Sequence, residues 1–379
     1  MAYICTQAKC RLLLLDMPLK LYLRFVLFLL LGVAPLSAKE AEEKKEDKVG
    51  LKSEIKSYIR HHLEDTHDFG LFSYRDEEKD RKVYVGLPLP VIVWDEGLKI
   101  FSSSQLNHGE SVANVGGNNY KLYHGKIYKT DAEGTINFDD HHHPTNAKPL
   151  DFSITKSVVT IIFTALLMFF LFRGLAKSYK ENGLIAKGVG RFFEPIVLYI
   201  RDDIARPNIG DKHYKKYMSY LLPIFFFIWF LNILGLTPLG INVTGNIAVT
   251  LCLALITFLI TTFTGKKDYW LHVFDPLGSS MKWYAKLPLY VILIPIEVLG
   301  LIIKPFSLLI RLYANIQAGH IVLMSLIGLM FIFKSWLGST LSFGLAFAIS
   351  LIEILVALLQ AYIFTMLSAL YFGFASEEH

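Results

Sequence analysis

Arg311 stands in the middle of a long apolar run, PIEVLGLIIKPFSLLIRLYANIQAGHIVLMSLIGLMFIF, from Pro295 to Phe333. A guanidinium keeps its proton wherever it is placed. Insertion scales put an arginine at the centre of a membrane helix at roughly 2.5–3.5 kcal/mol, so a chain that carries this cost uses the charge. Snorkelling to an interface fits poorly, because apolar or small residues extend on both sides. On a helix of 3.6 residues per turn, Glu297 falls about +40° from Arg311, Lys304 about +20°, Ser307 about −40° and Asn315 about +40°. One stripe therefore collects nearly all the polar residues of this helix. Its last turn, Ala318-Gly319, is small enough for a partner to approach closely. His320 falls on the opposite face, about 13.5 Å along the axis.

The final apolar segment carries the matching half. Glu353 and Gln360 share a helix face, and the residues between them (ILVALL) are wholly apolar. A carboxylate in such a setting needs a partner. His320 is the natural one, and a His–Glu pair can hand on a proton near neutral pH. A packed structural bridge is the competing reading of that pair alone. Arg311 nearby favours transport.

These groups have to be positioned by membrane helices. The chain has 379 residues, 53% of them hydrophobic and 19% charged, which is the profile of a polytopic membrane protein. The formal net charge of +5 comes from lysines and arginines clustered beside apolar spans, where they set topology, and not from a nucleic-acid footprint. Cys5, Cys10 and Cys252 lie in unrelated contexts and build neither a disulfide framework nor a zinc site. No P-loop, soluble enzymatic fold or internal repeat is present.

Residues 1–38 read as a secretory leader, with Lys20 and Arg24 before the apolar run Phe25–Val33, a small-residue cleavage site at Pro35–Ala38, and Met17 as the plausible start. Residues 39–150 then form an exported domain of mixed α and β content. Lys39–Lys48 is a charged low-complexity run. Val49–Leu63 has helical spacing, and Lys82–Trp94 and Tyr120–Lys129 read as strands. The loop histidines His141-His142-His143 read as solvated, so no metal or cofactor is expected. In 151–379, Ser157–Leu175 is a full span, followed by basic residues that include Arg173, Lys177, Lys180, Lys187 and Arg191 and place that end in the cytoplasm. Phe192–Ile204 is too short and charged to span and belongs on the surface. Tyr217–Leu236 and Asn246–Phe263 form a helical hairpin around the turn Thr237–Gly245. Leu287–Phe333 and Leu341–Phe374 are overlong, which calls for strong tilt or for kinks, at Pro295 and Pro305 in the first. The fold class is thus an all-α polytopic membrane protein with a small α+β exported domain.

The pattern Arg311-Leu312-x-x-Asn315-x-x-Ala318-Gly319, followed by His320, and the final-helix run Leu-Leu-Gln360-Ala361-Tyr-Ile-Phe resemble subunit a of bacterial F-type ATP synthases. The likeness covers about 280–379, including the Ala375-Ser376-Glu-Glu-His ending, and extends more weakly over 151–265 through Glu194-Pro195 and Arg201-Asp202-Asp203. It implies a proton-translocating stator subunit with two unconnected half-channels, past which a ring of c subunits turns in the inner membrane. It implies as partners the c-ring, the subunit b peripheral stalk, the remaining F1Fo subunits and the lipid bilayer. By the same resemblance Arg311 would strip the proton from each ring carboxylate and block leakage. Glu297 would match a residue of the cytoplasmic half-channel, with Ser307 in the same stripe on the proton pathway, and Asn315, His320, Glu353 and Gln360 would match polar positions near the arginine and the exported-side channel. Family members often carry an acidic residue near the outer end of the hairpin's first helix, where this chain reads Asn232-Ile-Leu-Gly235, so Asn232 would serve instead with His320 and Glu353. The long exported extension is not part of the usual core.

Two alternatives stay open at this point. One is a sodium-coupled member of the same family, since the ion is selected largely by the ring. The other is a secondary transporter or channel, which would show repeated halves or paired broken helices.

Overall fold

The computed structural model describes residues 55, 56, 59, 64–76, 81–181, 188, 190–237, 241–275, 283–333 and 335–376. The chain divides into two compact units, Met1–Glu54 and Ile55–His379, and the described residues all lie in the second. The leader, the run Lys39–Lys48, Lys187 and the Glu377-Glu378-His379 ending fall outside them. Of the helix expected over Val49–Leu63, only Ile55, Lys56 and Ile59 are described, and these are helical.

The region before the first long helix is built of short antiparallel sheets. β1 (Asp68–Asp76) and β2 (Arg81–Pro88) form a hairpin with a register shift between Gly70 and Phe72. β3 (Pro90–Trp94), β4 (Leu98–Ser102) and β8 (Leu150–Asp151) make a second sheet in the order β4-β3-β8. β5 (Ala113–Val115), β6 (Asn118–Tyr123) and β7 (Lys126–Thr130) make a third. Alternation along β3 sends Val91 and Val93 inward, where they join Phe101, Leu106, Ala113, Tyr120 and Ile127 in one apolar core.

Two expected strands are subdivided. Lys82–Trp94 breaks at Leu89, whose N–H donates to the Ser103 hydroxyl and whose carbonyl accepts from the Ser103 N–H. Tyr120–Lys129 is a hairpin that turns at His124-Gly125, with φ of 48° and 70°. A two-residue hairpin turn of this kind needs positive φ at both positions, which glycine supplies freely and histidine tolerates.

The helices follow. α1 spans Lys156–Glu181. α2 (Gly190–Tyr199) runs through a π-helical stretch, Ile200–Ala205, into a last turn at Arg206–Ile209. α3 (Tyr214–Gly235) and α4 (Ile247–Thr264) form the hairpin, and α5 (Lys267–Phe274) is short. α6 (Trp283–Ile332) and α7 (Trp336–Ser376) have 50 and 41 residues. Five of these helices, α1, α3, α4, α6 and α7, are long and apolar enough to cross a membrane. α2 is not among them, as its length and charge lead one to expect. α6 is helical through Pro295 and Pro305. At 1.5 Å per residue it is about 75 Å long, far more than an upright crossing of the roughly 30 Å of hydrocarbon in a bilayer requires.

α3 is the centre of the bundle. Leu221, Phe225, Phe226 and Ile228 pack with Ile200 and Ile204 of the surface segment, Leu308, Leu309 and Leu312 of α6, and Ala361, Phe364, Ala369 and Phe372 of α7. Small residues on α7 allow this approach. The hydroxyls of Thr365, Ser368 and Ser376 bond back to carbonyls one turn earlier, so they enter the apolar contact already satisfied. At one end Tyr217 stacks on Phe372 at 4.6 Å, and the hydroxyls of Tyr217 and Ser376 are hydrogen-bonded at 3.1 Å. There Gly373 lies directly against the Asn208 carbonyl.

Candidate functional site

α6 presents two different sides around Arg311. Leu308, Leu309, Leu312 and Ile316 are buried against the bundle, whereas Ile310, Ala314, Asn315 and Ala318 are exposed. Arg311 is half-buried at the border, as are Glu297, Lys304 and Ser307 below it on the same stripe. The open face thus carries Asn315 and the small Ala318. Among the described residues no carboxylate pairs with Arg311, and the Tyr371 hydroxyl on α7 lies within its electrostatic reach. Lys304 lies over the rings of Tyr269 and Tyr371, at 5.8 and 5.7 Å, and within electrostatic reach of Glu297. Cation–π contact of this kind holds an ammonium without a full counter-charge.

His320 turns the other way. It is buried and its Nε2 faces Gly235 at the end of α3, 3.5 Å from where a β-carbon on that glycine would lie. Glu353, half-buried on α7, seats its carboxylate over Gly319 of α6. A β-carbon added to Gly319 would stand 1.5 Å from Glu353 Oε1. The two residues expected to pair are therefore neighbours along one seam, but no hydrogen bond or ion pair joins them among the described residues. The histidine is aimed at α3, and the carboxylate is aimed at the backbone beside it.

Asn232 links three elements. Its side-chain nitrogen donates to the Ala357 carbonyl at 3.4 Å, and its oxygen accepts from Thr244 at 2.9 Å. Ala357 lies one turn from Glu353 in one direction and close to the buried Gln360 in the other, so Asn232 meets α7 between its two polar groups. Asn242 donates to Gln317 Oε1 at 3.0 Å. Asn242, Thr244, Gln317 and Tyr371 escape a reading of the sequence alone. The first two read as ordinary turn residues, and Gln317 falls outside the arginine stripe despite sitting beside Ala318-Gly319.

The surface segment is tied in separately. Tyr179 at the end of α1 donates to Glu194 of α2 at 2.8 Å. Asp202 accepts a bidentate pair from Arg201 and a further bond from Arg206. Hydrogen bonding to Arg201 holds the Asp202 carboxyl below its usual range. Along α6, Glu297, Lys304 and Ser307 thus precede Arg311, and Asn315, Gly319 and His320 follow it, with Arg311 half-buried at the border of the exposed face.

Comparison with known proteins bears on this directly. The family described as ATP synthase A chain matches residues 158–373, and a domain of unknown function (DUF8433) matches residues 58–152. The chain is 45% identical over 236 residues to ATP synthase subunit a 2 of Chlorobaculum tepidum, covering 60% of this chain and 64% of that one. It is 41% identical over 233 residues to ATP synthase subunit a of Chloroherpeton thalassium, covering 60% and 69%. Over 231 residues it is 43% identical to ATP synthase subunit a of Myxococcus xanthus, covering 59% and 73%.

Proposed function

This chain belongs to the ATP synthase A chain family, and we propose that it works as the ion-translocating stator subunit of the membrane sector, with Arg311 as the group that meets each passing ring carboxylate. It is a multi-pass membrane protein and no enzyme on its own. The observation that carries the assignment of Arg311 is its setting: a permanent cation at the edge of an open apolar face, with no carboxylate of its own chain among the described residues. A charge so placed has to be neutralised from outside the chain, and a rotating ring of carboxylates does this repeatedly. The fixed cation discharges each carboxylate and repels ions that would slip past it, which keeps the two half-channels apart.

Glu297, Lys304 and Ser307 line the approach from one side of the membrane. Asn232, His320, Glu353 and Gln360 line the approach from the other, and Asn315 stands beside the arginine on the ring face. Protons are the favoured ion, because the imidazole of His320 and the carboxylate of Glu353 both exchange them readily. A sodium-coupled ring would leave this chain's architecture unchanged. The partners follow from the same reading: the c-ring on the open face of α6, subunit b, and the rest of the complex. The leader 1–38 directs residues 39–150 to the outside of the inner membrane, and the basic flank after α1 keeps its other end in the cytoplasm. The domain limits are then 1–38, 39–150 and 151–379.

Arg311→Ala and Arg311→Lys complexes, assembled in inverted vesicles, test the central role. Both should lose ATP-driven pumping and coupled synthesis while inserting normally, since lysine lacks the flat fork that meets a carboxylate. Normal pumping by Arg311→Ala would sink the proposal. Protease added to intact spheroplasts should cut within residues 39–150 and spare His379, and the reverse pattern would invert the topology.

A further inference from the structure

A cleft of about 210 Å³ opens where the β domain meets the helices, lined by Glu64, Asp65, Lys156, Asn242, Asn246 and Tyr313 among others. We infer that this cleft is the mouth of the outer half-channel, and that the β domain forms one wall of it. The inference rests on the channel reading above and extends it to a domain with no assigned role.

Asp65 holds the domain in place. It accepts hydrogen bonds from the Thr155 hydroxyl at 3.0 Å, the Ser157 N–H at 3.2 Å and Asn246 Nδ2 at 3.3 Å. It thereby caps the start of α1 and reaches the start of α4 at once. The Lys156 N–H donates to the Thr66 carbonyl at 3.1 Å, and the Lys156 ammonium lies among the charges of Asp65, Asp68 and Glu64. A purely adhesive contact would close over these groups. Instead the space between them has room for several waters, each needing about 30 Å³.

The floor of the cleft continues inward. Asn242 is buried, and its Oδ1 has no hydrogen-bond donor among the described residues. A buried amide oxygen of this kind calls for a donor, and water in the cleft supplies one. The nitrogen of the same side chain donates to Gln317, one helical turn beyond Tyr313 on α6. Two residues beyond Asn242 along the same loop, Thr244 donates to Asn232, which meets α7 at the Ala357 carbonyl, one turn from Glu353. A line of polar groups thus runs from Glu64 and Asp65 through Asn242, Thr244 and Asn232 toward Glu353. Two carboxylates against one ammonium among these lining groups give the entrance a cation-attracting field, which raises the local supply of protons.

The test uses assembled complexes in vesicles with the β domain outward, in a background with Cys5, Cys10 and Cys252 replaced by Ser. Tyr313→Cys should react with a trimethylammonium thiosulfonate about tenfold faster than with a sulfonate reagent at low ionic strength. Reaction should also cut passive proton flux through complexes stripped of their soluble sector. Adding Glu64→Gln should remove most of the preference for the cation, which a structural role alone would not do. Ile247→Cys, on the exposed first turn of α4, carries the same test should Tyr313→Cys not assemble. No reaction, or reaction without loss of flux, overturns the assignment of the cleft. Normal pumping by Arg311→Ala overturns the channel reading instead, and the two outcomes are read in separate complexes.

Discussion

α3 and α6 are both apolar membrane helices, yet 44% of the most apolar 18-residue window of α3 is buried, against 6% of that of α6. α3 is surrounded by its own chain: Phe172 of α1 and Phe193 of α2 approach its Phe226, and the middle of α6 and the second half of α7 join the same core. α6 buries few of its apolar residues, Leu308, Leu309, Leu312 and Ile316, together with His320, and leaves most of the others exposed or half-buried. The difference separates two uses of the same kind of sequence. One helix is a scaffold that the chain completes by itself, and the other leaves a face that, on the proposed reading, lipid and other subunits complete. Hydropathy does not distinguish them. The placement of one permanent charge at the edge of the bare face does.

The comparison can be broken most easily by truncating one large ring on each helix. Phe226→Ala, at a site with 0% exposure, should cost about 3 kcal/mol and sharply lower the amount of folded chain. Phe306→Ala, at 59% exposure, should leave the folded chain intact within about 0.5 kcal/mol and instead weaken its retention of ring subunits. Equal losses of folded chain, measured by thermal unfolding in detergent, would erase the distinction.

A pair of glycines sharpens it further. A β-carbon at Gly373 would stand 1.9 Å from the Asn208 carbonyl, which is backbone and cannot move aside. Gly373→Ala should therefore reduce assembly. At Gly319 the obstacle is the end of a flexible Glu353 side chain. Gly319→Ala should assemble normally but displace the carboxylate, lowering passive flux per complex severalfold. Glu353→Asp, one methylene shorter, should restore part of that flux in the double variant. Loss of assembled protein in Gly319→Ala, with unchanged flux per complex, would make Glu353 a structural residue.

The β domain is also covered by its own chain, but there a polar anchor does part of the holding. Asp95 accepts from Tyr120 and Asn118, each at 2.8 Å, and pairs with Lys129 at 3.2 Å. The hydrogen bond from Tyr120, helped by Lys129, holds the carboxyl below its usual range despite some opposing desolvation. A carboxylate whose folded pKa is depressed stabilises the fold fully above its ordinary value of 3.8, and that contribution is lost as pH falls below it. Asp95→Asn should speed hydrogen exchange in β6 and β7 at neutral pH by an amount worth about 1 kcal/mol, and this cost should shrink in acid. An unchanged exchange rate at pH 7 would show that the anchor contributes nothing.

Much of the membrane half is legible in the sequence, because a charge inside an apolar run has few interpretations. Helical spacing alone puts Arg311 and Asn315 on one side and His320 on the other, and the structure agrees. The pairing of His320 with Glu353 is less legible. Spacing sets the face of each helix but not the rotation of one about the other, and here Gly319 receives the carboxylate. The turn at His124-Gly125 hides because His-Gly is not the Asn-Gly or Asp-Gly pair that announces a two-residue hairpin turn. Asp65 is unreadable for another reason. Its partners Thr155, Ser157 and Asn246 lie 90, 92 and 181 residues away in sequence, and no local pattern anticipates such contacts.

The seat of Glu353 on Gly319 has a consequence for descent as well as for mechanism. Two positions on different helices share one volume, so neither can drift alone. A lineage that acquires a larger residue at 319 must shorten or relocate the acid at 353. One that loses the acid is released to replace the glycine. Across related chains the two sites should therefore change hands together, while Gly373, held against main chain, should stay glycine whatever its neighbours become.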